Sequence, residues 1–188
     1  MQHAFPAPFL LAALCCMPAL AQPAPQAPRD LRPTRDVTVT YALNGGADVY
    51  MSQSWDARGK RLRMTTAGEP GWMLIDFGRS KAYMVVDRTR RFITQPERSA
   101  TPDPLSLPPD ARLTRVGNGR VANQPCTDWR VDSVQLAATL CITADNVMVR
   151  MVQQRTDGEA RLEARSVYFA PADPARFRVP DGYREVTR

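Results

Sequence analysis

The side chains that most often carry chemistry are scarce in this chain of 188 residues. The single histidine, His3, lies in an N-terminal stretch that we expect to be removed, and histidine is the commonest general base and metal ligand. Ser80 directly precedes Lys81, which is not the spacing of a serine–lysine site, and a serine nucleophile would lack a histidine partner. The sequence therefore predicts no nucleophilic active site, no cofactor and no metal site.

Two pairs of aspartates remain as a conceivable acid and base: Asp76 with Asp87, and Asp145 with Asp157. A carboxylate mechanism needs no histidine, so this chemistry stays open. All four aspartates, however, lie at the ends of predicted strands, where turns favour aspartate for conformational reasons. We therefore predict that the protein is not an enzyme.

The N-terminal stretch has the features of a secretory signal peptide. An apolar run extends from Phe9 to Leu20, and Ala19 and Ala21 place small residues where signal peptidase requires them. The run is too short to span a membrane, which takes about 20 apolar residues. We predict cleavage after Ala21, so that 1–21 is a signal peptide and the mature protein is periplasmic.

Lipidation is the alternative fate of this stretch, because Cys15 and Cys16 follow an apolar run. The match is poor, since Leu14 stands directly before the first cysteine, where a small residue is expected. After the predicted cut, 22–34 is rich in proline, alanine and glutamine, a composition that favours extended, solvated chain. We predict a flexible linker over 22–34 and one folded domain over 35–188.

The remaining two cysteines, Cys126 and Cys141, lie on predicted neighbouring strands. An isolated pair in an oxidising compartment is most simply a structural disulfide. A redox-active dithiol is the alternative, but such sites use close C-x-x-C spacing or a helix N-terminus, and neither pattern is present. We predict a disulfide.

The formal charge of +6 arises from 25 basic and 19 acidic side chains, and only Lys60 and Lys81 are lysines. The arginines are spread along the chain, which is typical of a solvated basic surface. A weak contact with an anionic membrane surface is the functional alternative, and nucleic acid is not an expected partner of an exported protein. We predict a monomer.

Alternation of apolar and polar residues dominates the chain from Val37 onward and indicates about eleven antiparallel strands. In the third strand Leu62 and Met64 share one face and Arg61 and Arg63 the other, which indicates a sheet with one wet face. Turns are expected at Asn44 to Gly46, at Asp56 to Gly59, at Gly117 to Gly119 and at Asp145 with Asn146. A helical turn is expected only at Pro174 to Phe177 and within the proline-rich stretch 96–109. That stretch is otherwise predicted to be a long covering loop.

Four segments resemble a bacterial exported domain family of unknown function: DVTVTY, WMLIDFGRSKAYMVVDRTRRF, CTDWRV with LCITADNVMVRM, and FRVPDGY. That family is similar in turn to the LolA/LolB-like lipoprotein carriers. The resemblance covers roughly residues 35 to 185 and implies an all-β fold with minor helix, an incompletely closed antiparallel half-barrel around an apolar cavity. Its motifs are structural, and none is a catalytic signature.

The apolar faces of the strands are the candidate ligand site. Methionine is flexible and suits surfaces that accept variable apolar partners, although methionines also fill ordinary cores. The predicted cavity residues are Leu62, Met64, Met73, Ile75, Met84, Val149 and Met151. With the resemblance, they predict a periplasmic binding protein for a lipid or an acylated protein, its inward face covered by the proline-rich loop and the C-terminal segment. The alternative is an envelope structural or interaction protein with a filled core.

Overall fold

A computed structural model of the chain describes residues 26–44, 50–96, 103–156 and 158–187. The predicted signal peptide, 1–21, and the predicted turn residues Gly45 and Gly46 lie outside these residues. The described ranges contain two 3-10 turns, Asp87–Thr89 and Pro174–Phe177, and the second is the helical turn predicted from the sequence. In this part of the chain no helix has the length and apolar character needed to cross a membrane.

The described residues form twelve strands, close to the predicted count. The additional strand, β12, has only two residues, and so short a strand shows no alternating pattern by which it could be predicted. The strands are β1 Val37–Leu43, β2 Tyr50–Asp56, β3 Arg61–Thr66, β4 Gly71–Asp76, β5 Lys81–Val86, β6 Arg91–Pro96, β7 Arg112–Val121, β8 Gln124–Asp132, β9 Ala137–Ile142, β10 Met148–Arg155, β11 Gly158–Tyr168 and β12 Arg184–Glu185.

All twelve strands belong to one sheet, in the order β12-β6-β5-β4-β3-β2-β1-β11-β10-β9-β8-β7. Neighbours are antiparallel except that β12 runs parallel to β6. Among the described residues the two edges, β12 and β7, are not paired with each other, so the sheet is not closed. The predicted fold class, an incompletely closed, antiparallel all-β sheet, is confirmed.

One face of the sheet, which we call the inner face, carries the main core. In β1, Val37, Val39 and Tyr41 are buried on this face, while Thr38 and Thr40 alternate with them toward the other, outer face. Directly paired residues of neighbouring strands lie on the same face, so the register extends this core along the sheet. Its further members include Trp55, Leu62, Ile75, Ala82, Trp129, Val131, Leu140, Val149 and Leu162.

The outer face is not uniformly wet, which corrects one expectation from the sequence. Trp72 and Leu74 of β4 are buried there in a second, smaller core that Phe177 completes. Arg61 and Arg63, predicted on the solvated face, are half-buried, and Arg61 Nη1 donates to the Phe177 carbonyl at 2.9 Å. Because β4 is apolar on both faces, the C-terminal segment covers the outer face and not, as predicted, the inner one.

The turn predicted at 117–119 is wrong. β7 continues through this segment with a bulge, and the chain reverses at Ala122 and Asn123, whose φ angles are 46° and 60°. Gly119 instead serves close packing, since a β-carbon there would lie 3.0 Å from Cys141 Sγ. Glycines within a strand pattern thus marked a bulge and a crowded position.

The predicted disulfide is confirmed. Cys126 of β8 and Cys141 of β9 are bonded, with their Cα atoms 5.4 Å apart. The two strands are direct neighbours in the sheet, and Cys141 is fully buried. The bond therefore ties two adjacent strands in the half of the sheet that follows the proline-rich stretch.

Candidate functional site

Three methionines form a continuous row across the inner face. Met64 of β3 pairs with Met73 of β4, and Met73 pairs with Met84 of β5. Gln53 of β2 and Ile93 of β6 extend the row at its two ends. We call Met64, Met73 and Met84 the methionine row.

The seven predicted cavity residues fall into two groups. Leu62, Ile75 and Val149 are buried core residues, with exposed fractions of 1%, 3% and 0%. Met64, Met73 and Met151 are half-buried, and Met84 is 45% exposed. The structure thus places the methionines on the accessible part of the inner face and the branched residues on its buried part.

One end of the inner face is filled by two leucines from outside the sheet. Leu31 and Leu105 pack beside Tyr41, Trp55 and Leu62, and the cavity left among them measures about 30 Å³. Such a space holds about one water molecule. Leu105 belongs to the proline-rich stretch, so its described part, 103–109, covers the inner face as predicted. No acyl chain fits at this end unless these leucines move.

Residues 30–33, which we call the strap, are held against the sheet by hydrogen bonds. The Leu31 amide donates to the Leu105 carbonyl at 2.8 Å, and Trp55 Nε1 donates to the Pro33 carbonyl at 2.9 Å. Asn146 Nδ2 donates to the Arg32 carbonyl at 2.8 Å. The packed chain therefore begins at Leu31, earlier than Arg35, where the sequence places it. This segment has a single buried leucine among prolines, so it shows no hydrophobic periodicity from which its packing could be predicted.

A larger, open groove lies on the inner face of β7, β8 and β9, next to the N-terminal segment. Asn118, Thr127 and Ile142 are register neighbours across β7, β8 and β9, and they line the groove together with Trp129. Its volume is about 620 Å³, and Pro28 of the N-terminal segment lies at its margin. Sequence reasoning missed this groove, because no residue type marks it.

The aspartates considered as an acid and a base have structural roles. Asp76 accepts a hydrogen bond from the backbone of its own turn, Asp87 from an indole and a phenol, and Asp145 from an arginine. Asp157 lies outside the described residues. Within those residues no group of three or more His, Cys, Asp or Glu side chains could hold a metal ion.

Burial gives one titratable group on the inner face an unusual environment. The Tyr41 hydroxyl donates to the Met148 carbonyl at 2.7 Å, and burial raises the pKa of this phenol above its ordinary value. The phenol is therefore a neutral, hydrogen-bonded member of the core at physiological pH.

No family model and no curated protein matches the chain. Among solved structures, an uncharacterised conserved protein from Thermus thermophilus aligns with a TM-score of 0.60 and 16% identity, over 82% of this chain and 91% of that one. MucB aligns with a TM-score of 0.56 and 15% identity, over 81% of this chain and 59% of MucB.

A LolA superfamily protein, NE2245 from Nitrosomonas europaea, aligns with a TM-score of 0.37 and 7% identity, over 79% of this chain and 92% of that one. The present chain spans about three fifths of MucB. The alignments with TM-scores above 0.5 show that it shares its fold with an uncharacterised conserved protein, as the sequence resemblance predicts.

Proposed function

We propose that the mature chain is a periplasmic, non-enzymatic binding protein whose inner face takes an apolar or amphipathic envelope ligand, a lipid or an acylated protein. The methionine row carries this proposal, because its side chains are half-buried or exposed above an otherwise closed core. Flexible, polarisable thioethers adapt to variable apolar partners. Covering them would remove apolar surface from water.

The filled end of the inner face restricts where this ligand lies. Leu31 and Leu105 occupy the space beside Tyr41, so the ligand is proposed to lie over Met64, Met73 and Met84. The fold is compatible with a protein partner as well, since MucB was solved in complex with MucA(peri). An acylated protein would combine both kinds of contact.

A second candidate function follows from the small cavity. With only about 30 Å³ left beside Leu31 and Leu105, the deep part of the inner face is packed like an ordinary core. This observation favours an envelope structural or interaction protein without a small-molecule ligand. The partly exposed methionines would then be a protein-binding surface.

We propose the same export and organisation that the sequence predicts: a signal peptide at 1–21, a linker over 22–34 that ends in the packed strap, and a domain over 35–188. The protein is proposed to be a monomer that takes no nucleic acid. Its excess of basic over acidic side chains favours a weak contact with anionic membrane surfaces.

Met84→Glu tests the proposed ligand site, because Met84 is exposed enough for a carboxylate to stay hydrated. We expect affinity for a fluorescent fatty acid to fall about tenfold or more, since binding would bury the charge. The free energy of unfolding should change by no more than about 0.5 kcal/mol, as is usual at surface positions. Val134→Glu is the matched control, because Val134 is 95% exposed in a loop.

Equal loss of binding in both variants would contradict the site. If the parent binds no fatty acid and organic extracts of the purified protein contain no lipid by mass spectrometry, the carrier function is excluded. Independently of ligand binding, the stability of Met64→Glu distinguishes the two candidates. A filled core should unfold around this charge, whereas an open face should leave the melting temperature nearly unchanged.

A further inference from the structure

A small cleft with both polar and apolar walls lies on the outer face, opposite the methionine row. Thr38 and Ser54 are directly paired on β1 and β2, and their hydroxyl oxygens are 3.0 Å apart. Residues 170–177 cross over them, and Arg176 Nη2 lies 3.4 Å from Ser54 Oγ. The cleft measures about 110 Å³, and Tyr168 stands at its rim. This volume equals about three to four water molecules in the liquid.

A second arginine adds positive charge beside the cleft. Arg63 is paired with Ser54 across β2 and β3, and its guanidinium stacks on the Trp72 ring with a separation of 3.8 Å. Arg63 Nη1 donates to the Arg176 carbonyl at 3.1 Å, whereas its buried Nε has no hydrogen-bond partner. The two side chains therefore bring two guanidinium groups to one place.

In the described part of the chain neither Arg63 nor Arg176 forms an ion pair with a carboxylate. Asp173 lines the cleft, but its carboxylate accepts the Ala175 amide at 2.9 Å. Asp87 accepts hydrogen bonds from Trp72 and another aromatic side chain. The positive charge at the cleft is thus only partly balanced.

The electrostatic environment of Arg63 is consistent with this imbalance. Burial lowers the pKa of Arg63, the charge of Arg176 lowers it further, and Asp87 raises it. The group stays protonated at physiological pH, because arginine is not deprotonated in proteins. An anion placed between the guanidinium groups and the hydroxyls would relieve the repulsion.

We propose that this cleft binds a phosphate-type oxyanion, to which the Arg176 guanidinium and one hydroxyl of the Thr38–Ser54 pair donate hydrogen bonds. Guanidinium and hydroxyl donors match the several acceptor oxygens of such a group. The oxyanion is either free phosphate or the phosphomonoester of a lipid headgroup. The site lies on the face opposite the methionine row and does not depend on the proposed apolar ligand.

Binding of inorganic phosphate tests the site directly, by calorimetry and by melting temperature against chloride at equal ionic strength. We expect the parent to bind phosphate and Arg176→Gln to bind it about tenfold or more weakly, because a charge-assisted hydrogen bond is lost. Arg178→Gln is the matched control, since Arg178 is exposed in the same segment and pairs with Asp181 at 3.6 Å. Ser54→Ala should weaken binding without removing charge.

Absence of phosphate binding by the folded parent overturns the proposal, as does equal weakening in Arg176→Gln and Arg178→Gln. If Arg176→Gln proves unstable, Arg176→Lys keeps the charge and should bind phosphate more weakly than the parent, whereas equal affinity would overturn the role of the guanidinium. Flotation with phosphatidylcholine vesicles, with and without phosphatidic acid, separates the two sources. Binding to phosphatidic acid that free phosphate reverses assigns the lipid headgroup, and phosphate binding without flotation assigns the free ion.

Discussion

At the scale of single residues, Asn146 links the N-terminal strap to the sheet. Its Nδ2 donates to the carbonyls of Asp30 and Arg32, at 2.9 and 2.8 Å, and its φ of 60° lies in the left-handed region. Asparagine tolerates this conformation better than most residues. The backbone of Asn146 therefore closes a turn, while its side chain holds the segment that carries Leu31 into the core.

Asn146→Ala should lower the free energy of unfolding by about 1–3 kcal/mol, because two carbonyls lose a donor and alanine is strained at positive φ. Asn146→Gly keeps the backbone relaxed and should cost less. Urea denaturation of both variants measures the difference. Equal stability of Asn146→Ala and the parent would show that the strap does not depend on this contact.

Tyr41 predicts a loss of stability at alkaline pH. Burial raises the pKa of its phenol in the folded state, whereas the unfolded chain ionises near the ordinary value of about 10. The contribution of the neutral Tyr41 phenol to the free energy of unfolding is fully present below a pH of about 10. It is lost as the pH rises, at up to about 1.4 kcal/mol per pH unit. Tyr41→Phe should remove this dependence and cost about 1 kcal/mol at neutral pH for the lost hydrogen bond.

Urea denaturation at several pH values checks this prediction. Tyr168→Phe is the control, since Tyr168 is 68% exposed. An unchanged alkaline slope in Tyr41→Phe would assign the effect to other groups.

At the scale of secondary-structure elements, the disulfide joins β8 to β9 in the half of the sheet that ends at edge strand β7. Replacing Cys126 and Cys141 together by alanine should lower the free energy of unfolding by about 3 kcal/mol, the loop-closure value for a short loop. Affinity at the methionine row should not change, because that row lies in the other half of the sheet. A double variant as stable as the parent would mean that the bond adds no net constraint.

At the scale of the whole molecule, the sheet has two covered faces and one accessible apolar surface. The strap and the proline-rich stretch fill one end of the inner face, while the C-terminal segment covers β4 on the outer face. The methionine row lies on the part of the inner face that the strap and the proline-rich stretch leave accessible. Ligand binding at the row and anion binding at the outer cleft are therefore expected to be independent.

Export can be tested on the intact protein. We expect the periplasmic form to begin at Gln22, because small residues at Ala19 and Ala21 define the cut. Intact mass spectrometry of the secreted form measures this directly. Retention of residues 1–21, or a diacylglycerol on Cys15 or Cys16, would contradict a soluble periplasmic protein.

The sequence alone determined eleven of the twelve described strands and the disulfide, and its family resemblance implied the open all-β class. Alternation with period two is local, so Val37, Val39 and Tyr41 indicate a strand wherever it packs. Two cysteines on consecutive predicted strands likewise have few possible partners. The aspartates at strand ends behaved as turn residues for the same local reason.

Only the tertiary structure decided which apolar residues are accessible. Leu62 and Met64 occupy equivalent apolar positions in the alternating pattern of β3, yet Leu62 is buried and Met64 lies at the open surface. The difference depends on where distant segments bring Leu31 and Leu105, which no local pattern encodes. The outer cleft has the same origin, because it lies where residues 170–177 cross β1 and β2.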